Sequence, residues 1–268
     1  IQTIGSTTFI ANSVVVPAAG SQNVNNNFIA GTFTKKAGGT LTLISSTATC
    51  ATGSTININN NNFSNITVNA ATILNGIVNT DAGSPFKSIQ GNIFYNWVGG
   101  TSAVTVLTVN LTGSSNAVSG NIIRNITGAS NITGITTAAG NDNIFSNTID
   151  SLFSTGTLLT VVSGINVTAG TSKNIYQNTI SNLQGNNITT GSVRGISIAA
   201  GTVINFYQNT INGLAANTLT TGTIAGVWVT GGPTVKIYRN KIYDLLCANN
   251  GVSSPVYGIL ISGAIANL

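Results

Sequence analysis

The chain writes NIYQNTISNL at 174–183 and, 31 residues on, NFYQNTINGL at 205–214. Reduced to I-x-x-N-x-I-x-x-L, the unit recurs as IYRNKIYDL at 237–245, IFSNTIDSL at 144–152, VSGNIIRNI at 118–126 and IQGNIFYNW at 89–97. Fainter copies are INNNNFSNI at 58–66 and VNNNFIAGT at 24–32. The central asparagines are Asn27, Asn61, Asn92, Asn121, Asn147, Asn178, Asn209 and Asn240, at intervals of 34, 31, 29, 26, 31, 31 and 31. A second unit keeps phase about fourteen residues ahead of them. It reads GINVTAG at 164–170, GISIAAG at 195–201, GVWVTGG at 226–232 and GILISGA at 258–264, with GITTAAG at 134–140 as a weaker copy. Two motifs in fixed phase mark a repeat architecture.

Gly, Asn, Thr and β-branched residues crowd each copy, whereas a helical repeat needs helix formers and a 3.6-residue period. The apolar letters alternate over short runs, as in Ile196-x-Ile198 and Val227-x-Val229, which is strand spacing. The reading is all-β: a parallel β-solenoid of about eight coils, roughly 31 residues each, with successive coils about 4.8 Å apart. Ile175, Ile180 and Leu183 then point inward and stack on Phe206, Ile211 and Leu214. Asn178 is expected at the bend between two strands, in the left-handed backbone that asparagine tolerates. Its amide would bond to the coils on either side in a structural ladder with Asn147, Asn209 and Asn240. Polar insertions such as QGNNITTGSV at 184–193 are expected to leave the rod as loops.

The pairing of G-I-x-I with N-I-Y-x-N-T-I-x-N-L resembles the right-handed parallel β-helix repeats of the pectin-lyase-like superfamily. It is most similar to the Asn/Thr-rich versions in large secreted surface proteins of bacteria. The resemblance covers roughly residues 56–268 and implies a right-handed β-helix. For function it implies little, since the family includes lyases, hydrolases, tailspikes, adhesins and inert stalks. Residues 1–55 fit the repeat poorly and are expected to form an irregular first coil or a cap, followed by one continuous solenoid over 56–268.

Composition narrows the chemistry. Charged residues are 5 % of the chain, far below the usual ~25 %. There is no Glu, His or Met, and the acids are Asp81, Asp142, Asp150 and Asp244. The net charge of +5 reflects scarce acids, and apart from Lys35–Lys36 the bases are scattered, so neither nucleic acid nor membrane lipid is an expected partner. No apolar run approaches the ~18 residues of a membrane span. A surface of neutral amides and hydroxyls suits a secreted or cell-surface protein. A chain without methionine that opens on IQTIG is read as a processed or excised piece.

An enzyme is not expected. Paired carboxylates must lie within about 5–10 Å to act on one glycosidic bond. Asp142 is placed in the turn before the 144–152 unit that contains Asp150, and Asp81 and Asp244 lie coils away. Without His or an acidic cluster, no catalytic, cofactor or metal site is expected. Cys50 takes the phase of Val167, Ile198 and Val229 and reads as a core residue, while Cys247 falls in the turn region past Leu245. They are some 30 Å apart along the axis, too far for a disulfide.

Two outward columns remain. Phe145, Tyr176, Tyr207 and Tyr238 stack four rings, either as a structural stack or as a carbohydrate-binding stripe. Asn166, Ser197, Trp228 and Leu260 become apolar toward the C-terminus, so Trp228, Leu260, Ile261 and Cys247 are interface candidates, unless a loop covers Trp228. Seven N-x-S/T triplets are expected by chance in so Asn-rich a chain. The uncharged YGILISGAIANL offers a strand edge to a second copy, docked head-to-tail, or to further chain. The function expected is a non-catalytic extracellular fibre or stalk element. The alternatives are an adhesin or carbohydrate-binding module and, lower, a degenerate polysaccharide-degrading enzyme.

Overall fold

A computed structural model describes residues 5–110, 112–113, 116–157, 159–188, 191–218, 222–248 and 255–263, and in it the chain is a parallel β-solenoid. Three sheets run its length. Sheet I has nine strands, from Thr7–Asn12 to Val256–Ile261. Sheet II has eight, from Ser21–Asn23 to Thr234–Tyr238, and sheet III has eight, from Phe33–Lys35 to Lys241–Cys247. Each strand pairs in parallel with its counterpart one coil away, which is why the sequence repeats at one coil's length. No helix among the described residues is long and apolar enough to cross a membrane.

The alternating apolar residues fill the interior. Ile165, Ile196 and Val227 stack in sheet I, Ile175 on Phe206 in sheet II, and Ile149, Ile180 and Ile211 in sheet III. All are fully buried, as are Leu183 and Leu214. The glycine that opens each G-I-x-I unit has a packing cause. A Cβ on Gly195 would lie 2.5 Å from Ile211 Cγ2 and 2.6 Å from the Gly226 carbonyl oxygen. The facing isoleucine of sheet III occupies that space.

Several local expectations change. The left-handed residue is the one before each ladder asparagine: Ser146, Gln177, Gln208 and Arg239 have φ of 54°, 55°, 56° and 56°. That kink at the sheet II–III corner turns the asparagine which follows it inward, so Asn178 itself needs no positive φ. Of the 184–193 stretch, Thr189 and Thr190 lie outside the described residues, and most of the rest belongs to strands. Gln184, Gly185 and Asn186 continue a strand of sheet III on Ala215, Ala216 and Asn217, and Ser192 already opens the next strand of sheet I. Asp142 lies in the strand Asn141–Phe145 and points into the interior.

Where an irregular coil or cap was expected, described residues 5–55 supply the first coil and part of the second, paired in register with the sheets that follow. The irregularity there is a small extra sheet of Val15–Val16, Thr49–Cys50 and Ala82–Gly83. Cys50 is buried in that sheet. Its phase is not that of Val167, which runs through Thr137, Val109 and Asn79 to Ser46. Cys247 ends the strand Lys241–Cys247 rather than lying in a turn, and the two thiols are not bridged.

Candidate functional site

The ladder runs unbroken through eight asparagines, from Asn27 to Asn240. Asn178 shows its mechanics. Its Oδ1 accepts from the backbone N and the Nδ2 of Asn147, at 3.0 and 2.9 Å. Its Nδ2 donates to Asn209 Oδ1 and to the carbonyls of Ile144 and Tyr176. Asn147, Asn178 and Asn209 thus each close a corner in their own coil and tie it to both neighbours. A second, exposed ladder runs through Asn65, Asn96 and Asn125 on sheet III, residues that are themselves left-handed.

The corner between sheets I and II holds charges that the sequence reading treated as isolated. Lys173 and Asp142 form a fully buried ion pair. The Lys173 ammonium also donates to Thr137 Oγ1 and the Ala139 carbonyl, while Thr137 Oγ1 and Asn116 Nδ2 donate to Asp142. Gly170, at φ 130°, makes room, because a Cβ there would lie 2.2 Å from Lys173 Cε. Burial pulls the Lys173 pKa below the ordinary lysine value against the opposing pull of Asp142. Further along the same corner Asp81 accepts from Ser46, the Ala48 amide and Asn79, and buried Lys87 donates to its carbonyl.

The aromatic column is a stack on the outer face of sheet II. Ring centroids of Phe145, Tyr176, Tyr207 and Tyr238 are 5.0 Å apart, with planes 5°, 1° and 3° from parallel. Each inner ring has both faces against its neighbours, so the stack offers solvent mainly ring edges and hydroxyls. A sugar that stacks on a ring needs a face, and only the outer faces of Phe145 and Tyr238 are not against another ring of the stack. Burial, and then the neighbouring phenols Tyr176 and Tyr238, push the Tyr207 pKa up.

Trp228 lies between Ser197 and Leu260 on the outer face of sheet I. It is covered by a guanidinium rather than a loop: Arg194 Cζ stands 4.0 Å over its ring. Its Nε1 donates to Ser262 Oγ at 3.0 Å. Leu260 and Cys247 are half-buried, and Ile261 is exposed.

On sheet III Asp150 is buried beside Arg124, whose Nε donates to it at 2.9 Å. Burial raises its pKa, but hydrogen bonds from Ser181, Asn182 and Ser151, with the Arg124 charge, outweigh that and hold it below the ordinary carboxylate value. A lowered folded pKa gives stability that is present above the unfolded pKa and lost as pH falls through the folded one. Asp150→Asn is therefore expected to lower the urea midpoint at neutral pH, and the gap to the parent protein should close as the pH falls below the ordinary carboxylate value and through the lowered folded one. A pH-independent gap would mean that the loss is steric.

Among the described residues no three His, Cys, Asp or Glu side chains gather as metal ligands. In comparisons with family models, curated proteins and solved structures, the chain has no significant match in any of the three.

Proposed function

We propose that the protein is a non-catalytic extracellular structural element, a rod that extends coil upon coil into a surface fibre or stalk. The observation that carries this reading is the edge of the last described coil. Ile259 and Ile261 continue the interior columns of Val227 and Val229, yet they are 46 % and 39 % exposed where the valines are fully buried. The first described coil keeps the same register in sheet I, with Ile10 in the Ile259 column and Asn12 in the Ile261 column. Further coils, from a second copy stacked head-to-tail or from flanking segments of a longer chain, would bury those isoleucines and pair the edge; contacts between copies of this kind are heterologous and do not close.

The non-catalytic part of the reading is supported by where the ionisable groups are used. Asp81, Asp142, Asp150, Lys87 and Lys173 all hold the scaffold together. A secreted setting, in the manner of the Asn/Thr-rich surface β-helices that the repeats resemble, accords with a surface of neutral amides.

Electron microscopy tests the assembly. Continuous threads with an axial repeat on the order of 40 Å are expected from eight coils at the parallel-strand spacing. Ile259→Lys with Ile261→Lys should abolish them while leaving the β-sheet circular dichroism in place. Discrete short rods from the unmodified protein would overturn the fibre reading.

A further inference from the structure

We propose that the outer face of sheet I binds the carboxylate of a small hydroxy acid, with Arg194 as its anchor. A recess of ≈ 250 Å³ there is lined by Asn131, Thr133, Val161, Ser163, Asn166 and Arg194. Arg194 is half-buried, and its Nε is shielded from water with no hydrogen-bond partner among the described residues. Its one bond among the described residues, from Nη1 to Ser197 Oγ, is long at 3.5 Å. Burial alone pulls its pKa down, with no carboxylate offsetting the cost.

Among the described residues no carboxylate pairs with Arg194. The chain has four acidic side chains. Asp81 and Asp142 are bonded in the interior corner and Asp150 is bonded on sheet III. Asp244 belongs to the strand Lys241–Cys247, also on sheet III. A desolvated guanidinium with no acid in reach is a costly arrangement that a bound oxyanion would offset.

The surroundings select the anion. Arg194 Cζ stands over the Trp228 ring, so the indole covers that side of the guanidinium and a planar carboxylate would have to pair along its edge. The lining contains no second cation, so one negative charge balances the site and a phosphate or sulfate dianion would stay half-neutralised. The other polar groups are neutral. Asn131 Oδ1 is held by the Val161 amide at 2.8 Å, which leaves its Nδ2 to donate, and Thr133, Ser163 and Asn166 can exchange hydrogen bonds with hydroxyls.

The chain has three arginines, so the Nε–Hε region of a 15N NMR spectrum is sparse enough to test this. The signal of Arg194 is assigned by its loss in Arg194→Lys. Gluconate is the probe, with sulfate and phosphate as comparators. The expected result is a saturable shift of the Arg194 signal, with Arg124 and Arg239 unmoved. Binding should be at least about tenfold weaker for sulfate and phosphate, and gluconate should bind about tenfold more weakly to Asn166→Leu, which removes a polar partner from the recess and narrows it. A shift that fails to saturate, three arginines that move together, or dianions that bind as tightly would each overturn the proposal.

Discussion

Replacing Lys173 with methionine is expected to destabilise the solenoid by about 3–5 kcal/mol, read as a lowered urea midpoint. Methionine fills much of the same volume, so the loss is electrostatic. Asp142 would be left at a fully buried position without its ammonium partner, and the Ala139 carbonyl and Thr137 hydroxyl would lose a bond each. A buried charge stripped of its counter-charge is among the most costly of single changes. The loss need not spread evenly, because coils of a solenoid contact mainly their neighbours. Hydrogen exchange should rise most in the coils containing Asp142 and Lys173.

Removing the whole polar set has the opposite expectation. The column that holds Asp142 and Lys173 continues as Ile204 and Val235, and earlier contains Ile56, all buried. The column that holds Thr137 is flanked by Val109 and Val167. Aliphatic side chains therefore fit both columns within this fold. Thr137→Val with Asp142→Ile and Lys173→Ile should recover most of the loss, and could exceed the parent protein in stability. A triple variant less stable than Lys173→Met alone would mean that the pair contributes net stability. A single-variant loss under about 1 kcal/mol would mean that water reaches the corner.

The two columns also show what can be read from the sequence. The ladder and core were legible because stacking forces one residue type to recur at one coil's distance, so Asn147, Asn178, Asn209 and Asn240 announce themselves. The buried corner obeys the same period, five residues before each ladder asparagine, as Gln22, Ile56, Lys87, Asn116, Asp142, Lys173, Ile204 and Val235. It escaped notice because its residue type changes from coil to coil, and only the three-sheet geometry shows that the position faces inward. Arg194 was missed for a different reason. It lies in a different outward column from Trp228, one coil earlier, and a single column read along its length does not reveal a diagonal neighbour. Gln184, Gly185 and Asn186 misled by composition, since such residues read as loop unless the next coil is known to offer a matching strand. The left-handed residue was misplaced by one position, because Gln177, Gln208 and Arg239 carry no turn signature of their own while the asparagine after each of them does.

Asn178→Ala is the second large effect, at about 2–5 kcal/mol. The substitution leaves the Asn147 amide N–H without its acceptor and the Ile144 carbonyl without its donor, both at a dry corner. Each such group costs about 1–3 kcal/mol when water cannot replace the lost partner. Asn178→Asp should be no better, because an acid that accepts at both oxygens meets the Ile144 and Tyr176 carbonyls and Asn209 Oδ1 where a donor is required. The control is Asn240→Ala in the last complete coil. Asn240 accepts from Asn209 in the same way but is half-buried, so water can take over there and the loss should stay below about 1.5 kcal/mol. A large cost at Asn178 with a small one at Asn240 would tie the ladder's contribution to its burial. Equal costs at the two positions would show that the amide acts through local corner geometry, whatever the solvent access.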